Sequence, residues 1–188
     1  IGALADRHPQ LELQLVAIPR IVRLSKHEAD IAIGLERPYK GRLYSRKLTD
    51  YTLHLYAAQT YLARHGPITS RQELPQHRMI GYIPEFIFTP KLDYMKELGD
   101  NFAPRLSSAN LFAQLRATQA GAGLCILPDF MAADTPGLVR VLADRIELER
   151  SFWIMAHIDS RESARVQTAF QFVCDLVRQE RGSFLPGP

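Results

Sequence analysis

Short apolar runs closed by glycine or proline alternate along this chain with segments of helical periodicity, and nothing else in the sequence constrains the fold as tightly. Leu11-Glu12-Leu13-Gln14-Leu15 alternates strictly and continues into Val16-Ala17-Ile18, which predicts a strand ended by Pro19. Ile21, Val22 and Leu24 then form one short helix face running to Lys26-His27. Asp30-Ile31-Ala32-Ile33-Gly34 follows as a compact buried strand, so strand, helix and strand succeed one another as in a βαβ unit.

The alternation continues. Leu43 to Leu48 and Leu53-His54-Leu55-Tyr56-Ala57-Ala58 read as extended pieces, and Met79-Ile80-Gly81-Tyr82-Ile83 as a strand closed by Pro84. Ser70 and Glu73 have capping-box spacing at the start of a helix that Pro75 keeps short. Thr89-Pro90 places a polar cap before proline at a first helical position, and Gly99 marks that helix's end. A cap-rich cluster, Ser107-Ser108-Ala109-Asn110, precedes a helix with Leu111, Leu115 and Thr118 on one face. Gly121-Ala122-Gly123 stops it before the buried strand Leu124-Cys125-Ile126-Leu127-Pro128. Strands at Leu138 to Leu142 and Phe152 to His157 lead to the clearest helix, striped by Val166, Ala169, Phe170, Val173 and Val177. The pattern predicts α/β architecture with mostly parallel sheet, and 188 residues suffice for one large core or two small ones.

Composition excludes several classes. No run approaches the length of apolar residues that a membrane helix needs, and the opening Ile1 to Arg7 lacks the basic leader and apolar core of a signal peptide. That opening has no initiator Met and enters mid-pattern, which predicts a piece of a longer chain. The net charge of +3 is spread over scattered Lys and Arg, as on a solvated surface and unlike a nucleic-acid face. Cys125 and Cys174 sit among apolar neighbours, which predicts buried free thiols in a reducing, cytoplasmic setting.

Catalytic and metal chemistry find little support. The six histidines and two cysteines show no CxxC, HxxxH or HExxH spacing, so no metal or other cofactor is expected. Cys125 lies inside an apolar run, not at a nucleophile turn, and Asp30 and Asp129 have no visible partner. Gly121 and Gly123 follow a helix and precede a strand, the reverse of a phosphate loop. No enzyme is expected. A binding site is, where strand ends meet helix starts: at Ile18-Pro19, at Ile83-Pro84-Glu85-Phe86 and at Ser107-Ser108-Ala109-Asn110.

Three pieces in order, Arg7-His8-Pro9-Gln10-Leu11-Glu12-Leu13, Glu28-Ala29-Asp30-Ile31-Ala32-Ile33-Gly34 and Ala120-Gly121-Ala122-Gly123-Leu124-Cys125-Ile126-Leu127-Pro128, closely resemble the regulatory domain of LysR-type transcriptional regulators. The resemblance covers nearly the whole chain. It implies a two-lobed periplasmic-binding-protein-like (type 2) fold with two hinge-crossing strands, near Leu53–Ala58 and Trp153–His157. Lobe I would comprise residues 1–55 and 158–188, without its first strand, and lobe II residues 56–157. The family's winged helix-turn-helix is absent from this chain.

The resemblance also implies a function: sensing a small-molecule effector in the inter-lobe cleft, and oligomerising as a homodimer or homotetramer, to modulate DNA binding and transcription. DNA would be met only through the missing N-terminal domain, and no membrane is involved. Carried over position by position, the effector lining is Ala17, Ile18, Gly34 and Leu35 on the first lobe, and Ile83, Pro84, Phe86, Ser108 and Asn110 on the second. Ala17-Ile18-Pro19 is apolar where carboxylate sensors of the family are often polar, which speaks against a simple carboxylate effector. The same fold also serves solute-binding proteins of transport systems, the alternative that an upstream export signal would mark.

Overall fold

The computed structural model describes residues 2–17, 24, 28–99 and 102–185. They form two units, Ile1–Thr49 with Ser151–Gly182 and Asp50–Arg150 with Ser183–Pro188, so the chain passes from one unit to the other three times.

In unit 1 the terminal helix organises the core. Helix α1 (Gly2–Arg7) opens the unit, and strand β1 (Ile31–Gly34) is the Asp-Ile-Ala-Ile-Gly run. β1 pairs antiparallel with strand β7 (Glu147–His157), Ile31 opposite Ala156 and Gly34 opposite Trp153. Helix α6 (Ala164–Gln179) turns Val166, Phe170 and Cys174, spaced four apart, onto Ile154 and Ala156 of β7. Its other flank meets α1: the Arg7 guanidinium lies 5.3 Å from the Phe172 ring centre, and His8 approaches that ring edge-on at 6.5 Å.

The strand expected over Leu11–Ile18 does not form over Leu11–Ala17, and Ile18 lies outside the described residues. Leu11 and Leu13 are half-buried, but Leu15 and Val16 are 77% and 66% exposed. Alternation chooses which face a strand buries; a ladder partner is what makes it a strand. Among the described residues β1 has a strand, β7, on one edge only. The helix expected over residues 21–27 also falls outside the described residues, apart from Leu24.

Unit 2 is built on strand β2 (Leu43–Ala58), which starts in unit 1 and joins the two expected extended pieces through Thr49-Asp50-Tyr51-Thr52. Both its edges are used: β5 (Leu124–Pro128) pairs antiparallel on one side and β6 (Leu138–Val141) antiparallel on the other. β3 (Met79–Gly81) is parallel to β5, and β4 (Leu106–Ser107) is parallel to β3. The sheet is thus mixed, not mostly parallel: β1 with β7, β2 with β5 and β2 with β6 run antiparallel, and only β3 with β4 and with β5 run parallel among these pairs. Helix α4 (Leu111–Gln119) covers one face, adding Leu115 to the buried Tyr56, Ile80, Cys125 and Leu127.

The capping box expected at Ser70 does not close: the Ser70 side chain accepts no backbone N–H, and the Thr69 and Ser70 hydroxyls instead donate to Glu73 at 2.9 and 2.8 Å beside a 3-10 turn over Arg71–Gln76. The helix expected after Thr89 divides at Asp93 into a 3-10 turn, Pro90–Leu92, and helix α3 (Tyr94–Leu98). Helices α2 (Gln59–His65) and α5 (Asp129–Ala132) follow β2 and β5 directly, and α7 (Arg181–Phe184) ends the described chain. Both cysteines are buried free thiols, as their apolar neighbours predicted.

Candidate functional site

The parallel pair β3 and β4 brings two of the predicted strand ends together. The Ser108 amide donates to the Gly81 carbonyl at 3.0 Å, tying the loop after β4 to the end of β3, where Ile83, Pro84 and Phe86 follow. Ile83 is half-buried, and Pro84 and Phe86 are exposed. Asn110 then caps α4, its Oδ1 accepting from the Phe112 and Ala113 amides at 2.9 and 3.2 Å. The Ser108 hydroxyl oxygen accepts from the Asn110 amide at 3.1 Å. Beneath them Gln114, fully buried, donates to the Ser108 carbonyl at 2.7 Å and accepts from the Cys125 thiol at 3.6 Å.

These caps have a chemical consequence. The Asn110 side-chain oxygen is engaged twice and the Ser108 hydroxyl oxygen once by backbone N–H groups, and the hydroxyl proton and side-chain amide hydrogens are donors that the pair offers to a ligand. Donors at the start of a nine-residue helix favour a ligand acceptor, either a carbonyl or an anionic oxygen.

In unit 1, Gly34 ends β1 opposite Trp153, with Leu35 half-buried after it. A Cβ at Gly34 would stand 3.2 Å from the Met155 methyl, which would have to give by a few tenths of an ångström. Ala17 is exposed, and Ile18 lies outside the described residues.

Two features of unit 2 escaped sequence reasoning. The first is Asp129, which spacing left without a partner. Its carboxylate, 1% exposed, accepts from Thr52 Oγ1, from His54 Nδ1 at 2.9 Å and from the Tyr56 hydroxyl at 2.6 Å, with Arg140 at 3.4 Å. Thr52, His54 and Tyr56 occur at every second position of β2, a polar period-two run that was the available signal. Burial pushes the Asp129 carboxyl up, but hydrogen bonds from Thr52, Tyr56 and His54 outweigh it and hold the group below its ordinary range. Tyr56 is pushed up to about 12 by burial and by that carboxylate, so it stays a donor.

The second is a cavity of about 420 Å3 beside β3, lined among others by Gly81, Tyr82, Met95, Phe102 and Pro104. Burial raises the Tyr82 phenol to about 12, and its ring meets Tyr94 edge-on at 5.8 Å. Its walls come from residues separated in sequence by a turn and a helix, so no local pattern announced it.

Comparison with known proteins places this architecture. The LysR substrate binding domain family matches residues 1–177. The Mau operon transcriptional activator of Paracoccus denitrificans is 25% identical over 169 residues, covering 89% of this chain and 56% of that protein. The CrgA regulatory domain, from a LysR-type transcriptional regulator of Neisseria meningitidis, superposes with a TM-score of 0.82 at 22% identity over 94% of this chain and 89% of that one. The effector domain of the Pseudomonas aeruginosa regulator AmpR gives 0.71 at 17% identity, over 96% and 87%. The chain spans little more than half the length of the Mau activator. The fold is thus the periplasmic-binding-protein-like (type 2) fold of these regulatory domains, and the chain belongs to the LysR substrate binding domain family.

Proposed function

We propose that this chain is the effector-sensing and oligomerising part of a LysR-type transcriptional regulator. A small metabolite engages the strand-end groups carried over from the family resemblance: Ala17, Ile18, Gly34 and Leu35 of unit 1 with Ile83, Pro84, Phe86, Ser108 and Asn110 of unit 2. It shifts the arrangement of the domain by its differential affinity for alternative states. The change passes through a homodimer or homotetramer to a DNA-binding domain outside this sequence.

The observation that supports this most is the Ser108–Gly81 bond, which brings the ends of two parallel strands to the capped start of α4. Ligands of open α/β sheets collect at such strand ends.

Thermal-shift screening of the chain against a metabolite library tests the reading. At least one compound raises the melting temperature with saturation, and replacing Ser108 by Ala weakens that response about fivefold while the unliganded melt moves little. A library in which no compound stabilises the chain, or a hit indifferent to Ser108→Ala and Asn110→Gly alike, overturns it.

A further inference from the structure

Helix α2 ends on His65, four residues after Tyr61 and so on the same face. The two rings stack, 4.1 Å apart and 16° from parallel, and His65 Nδ1 lies 3.0 Å from the Tyr61 carbonyl oxygen. A carbonyl only accepts, so Nδ1 carries the ring proton and the lone pair of the neutral ring falls on Nε2. The 3-10 turn over Arg71–Gln76 then delivers His77 to the same tyrosine, its Nδ1 3.1 Å from the Tyr61 hydroxyl. That oxygen already accepts from the Arg78 amide at 3.4 Å, and its second lone pair can take an N–H from His77 Nδ1. Among the described residues neither Nε2 takes part in a hydrogen bond or ion pair. His65 is exposed and His77 half-buried, so the pair is open to dissolved ions.

Imidazoles held through Nδ1, with Nε2 left over, are arranged as metal-binding histidines are. The spacing permits a shared ion. A metal takes an imidazole nitrogen at roughly 2.0–2.1 Å, which puts it about 3.2 Å from the ring centre, so two rings on one ion lie up to about 6.4 Å apart. The His65 and His77 ring centres are 6.1 Å apart, with their planes at 67°. The surrounding charges do not forbid a cation. Arg64 and Arg78 adjoin the pair, but their guanidinium groups donate to the Gly121 and Ala122 carbonyls at 2.8 and 3.4 Å, past the C-terminal end of α4 with its partial negative charge. The Glu73 carboxylate acts on His77 from the turn and favours positive charge there. Among the described residues no three His, Cys, Asp or Glu side chains are grouped to hold a metal. The chain therefore supplies two ligands and leaves the other positions of the ion to water.

We propose that His65 and His77 together bind a divalent late transition-metal ion of the zinc class through their Nε2 atoms. Neutral imidazole suits such ions, whereas magnesium and calcium take oxygen ligands. The two histidines stand twelve positions apart, outside every short metal spacing, so only the fold brings them together. The site shares no residue with the effector groups and does not rest on the sensor reading.

The test titrates zinc chloride calorimetrically into the untagged, chelator-stripped 188-residue chain. Uptake saturates at one ion per chain, and millimolar magnesium does not displace it. In long-range proton–nitrogen spectra, zinc moves the ring signals of His65 and His77 and leaves those of the other four histidines in place. His65→Gln and His77→Gln each weaken binding at least about tenfold, whereas His8→Gln leaves it unchanged. Circular dichroism melts establish that each variant is folded; should His77→Gln fail to fold, the exposed His65→Gln still decides. No saturable uptake, parent-like binding by His65→Gln, displacement by magnesium, or zinc shifts confined to other histidines overturns the proposal.

Discussion

At the scale of single residues, Asp129 carries the most concentrated energetics in unit 2. A carboxylate removed from water is tolerated only when its lone pairs are filled, and here Thr52, His54, Tyr56 and Arg140 fill them. Arg140 Nε also donates to the Tyr56 oxygen at 3.2 Å, so the tyrosine relays between the two charges. Replacing Asp129 by Asn leaves donors facing an amide that can accept at one oxygen only, and should cost about 3 kcal/mol in urea unfolding. Tyr56→Phe should cost about 2 kcal/mol, the value of a bond to a charged group. The pH dependence follows from the direction of the shift. A carboxyl held below its unfolded value stabilises the fold fully above that value, about 3.9, and loses the contribution as pH falls through its lower folded value. Stability should therefore fall steeply below about pH 4 in the parent chain and less steeply in Asp129→Asn. Parallel curves for the two would show that the carboxylate is not the group responsible.

At the scale of elements, what was legible in the sequence was what local signals determine. Helix α4 carries its start and stop in its own residues, Asn110 as cap and Gly121, at φ 74°, as terminator. The same stretch also shows why Gly123 had to be glycine. A Cβ there would stand 2.3 Å from the Arg78 carbonyl oxygen, the atom that accepts from the Leu124 amide as β5 begins. Backbone cannot swing aside as a side chain can, so Gly123→Ala should cost at least about 2 kcal/mol and lower the melting temperature. Gly182→Ala, with open space around it, should leave the melt unchanged. Signals that depend on a distant partner were not legible. The alternation of Leu11–Ala17 gave a face without a ladder, and Asp93 split a helix whose cap and terminator both looked ordinary. The site divides the same way: Ser108 and Asn110 were visible as capping residues. The ring of donors around Asp129 joins residues more than 70 positions apart, and the cavity walls meet only after folding.

At the scale of the whole molecule, the question is what the chain does with apolar surface that its described fold leaves open. β1 is an edge strand of Ile-Ala-Ile-Gly, paired with β7 on one side and with no described strand on the other, and Ile33 is 55% exposed. Leu15 and Val16, still more exposed, belong to the same unit. Backbone N–H and C=O groups that no described strand pairs, beside bare aliphatic side chains, are a template for another strand, which natural edges blunt with lysine, proline or a bulge. β1 has none of these. Charge offers little protection: a net +3 over 188 residues is weak repulsion, and it vanishes near the pI of about 9.0. The chain should therefore self-associate through this edge, more strongly as pH rises from 7 towards 9. An Ile33→Lys substitution places a charge on the exposed position and should shift the sedimentation distribution towards smaller species at every pH in that interval. Its melting temperature should change little, because Ile33 contributes less buried surface than Ile31, which packs against the α6 core. An unchanged distribution in Ile33→Lys would mean that β1 is shielded and that association, if any, runs through another face.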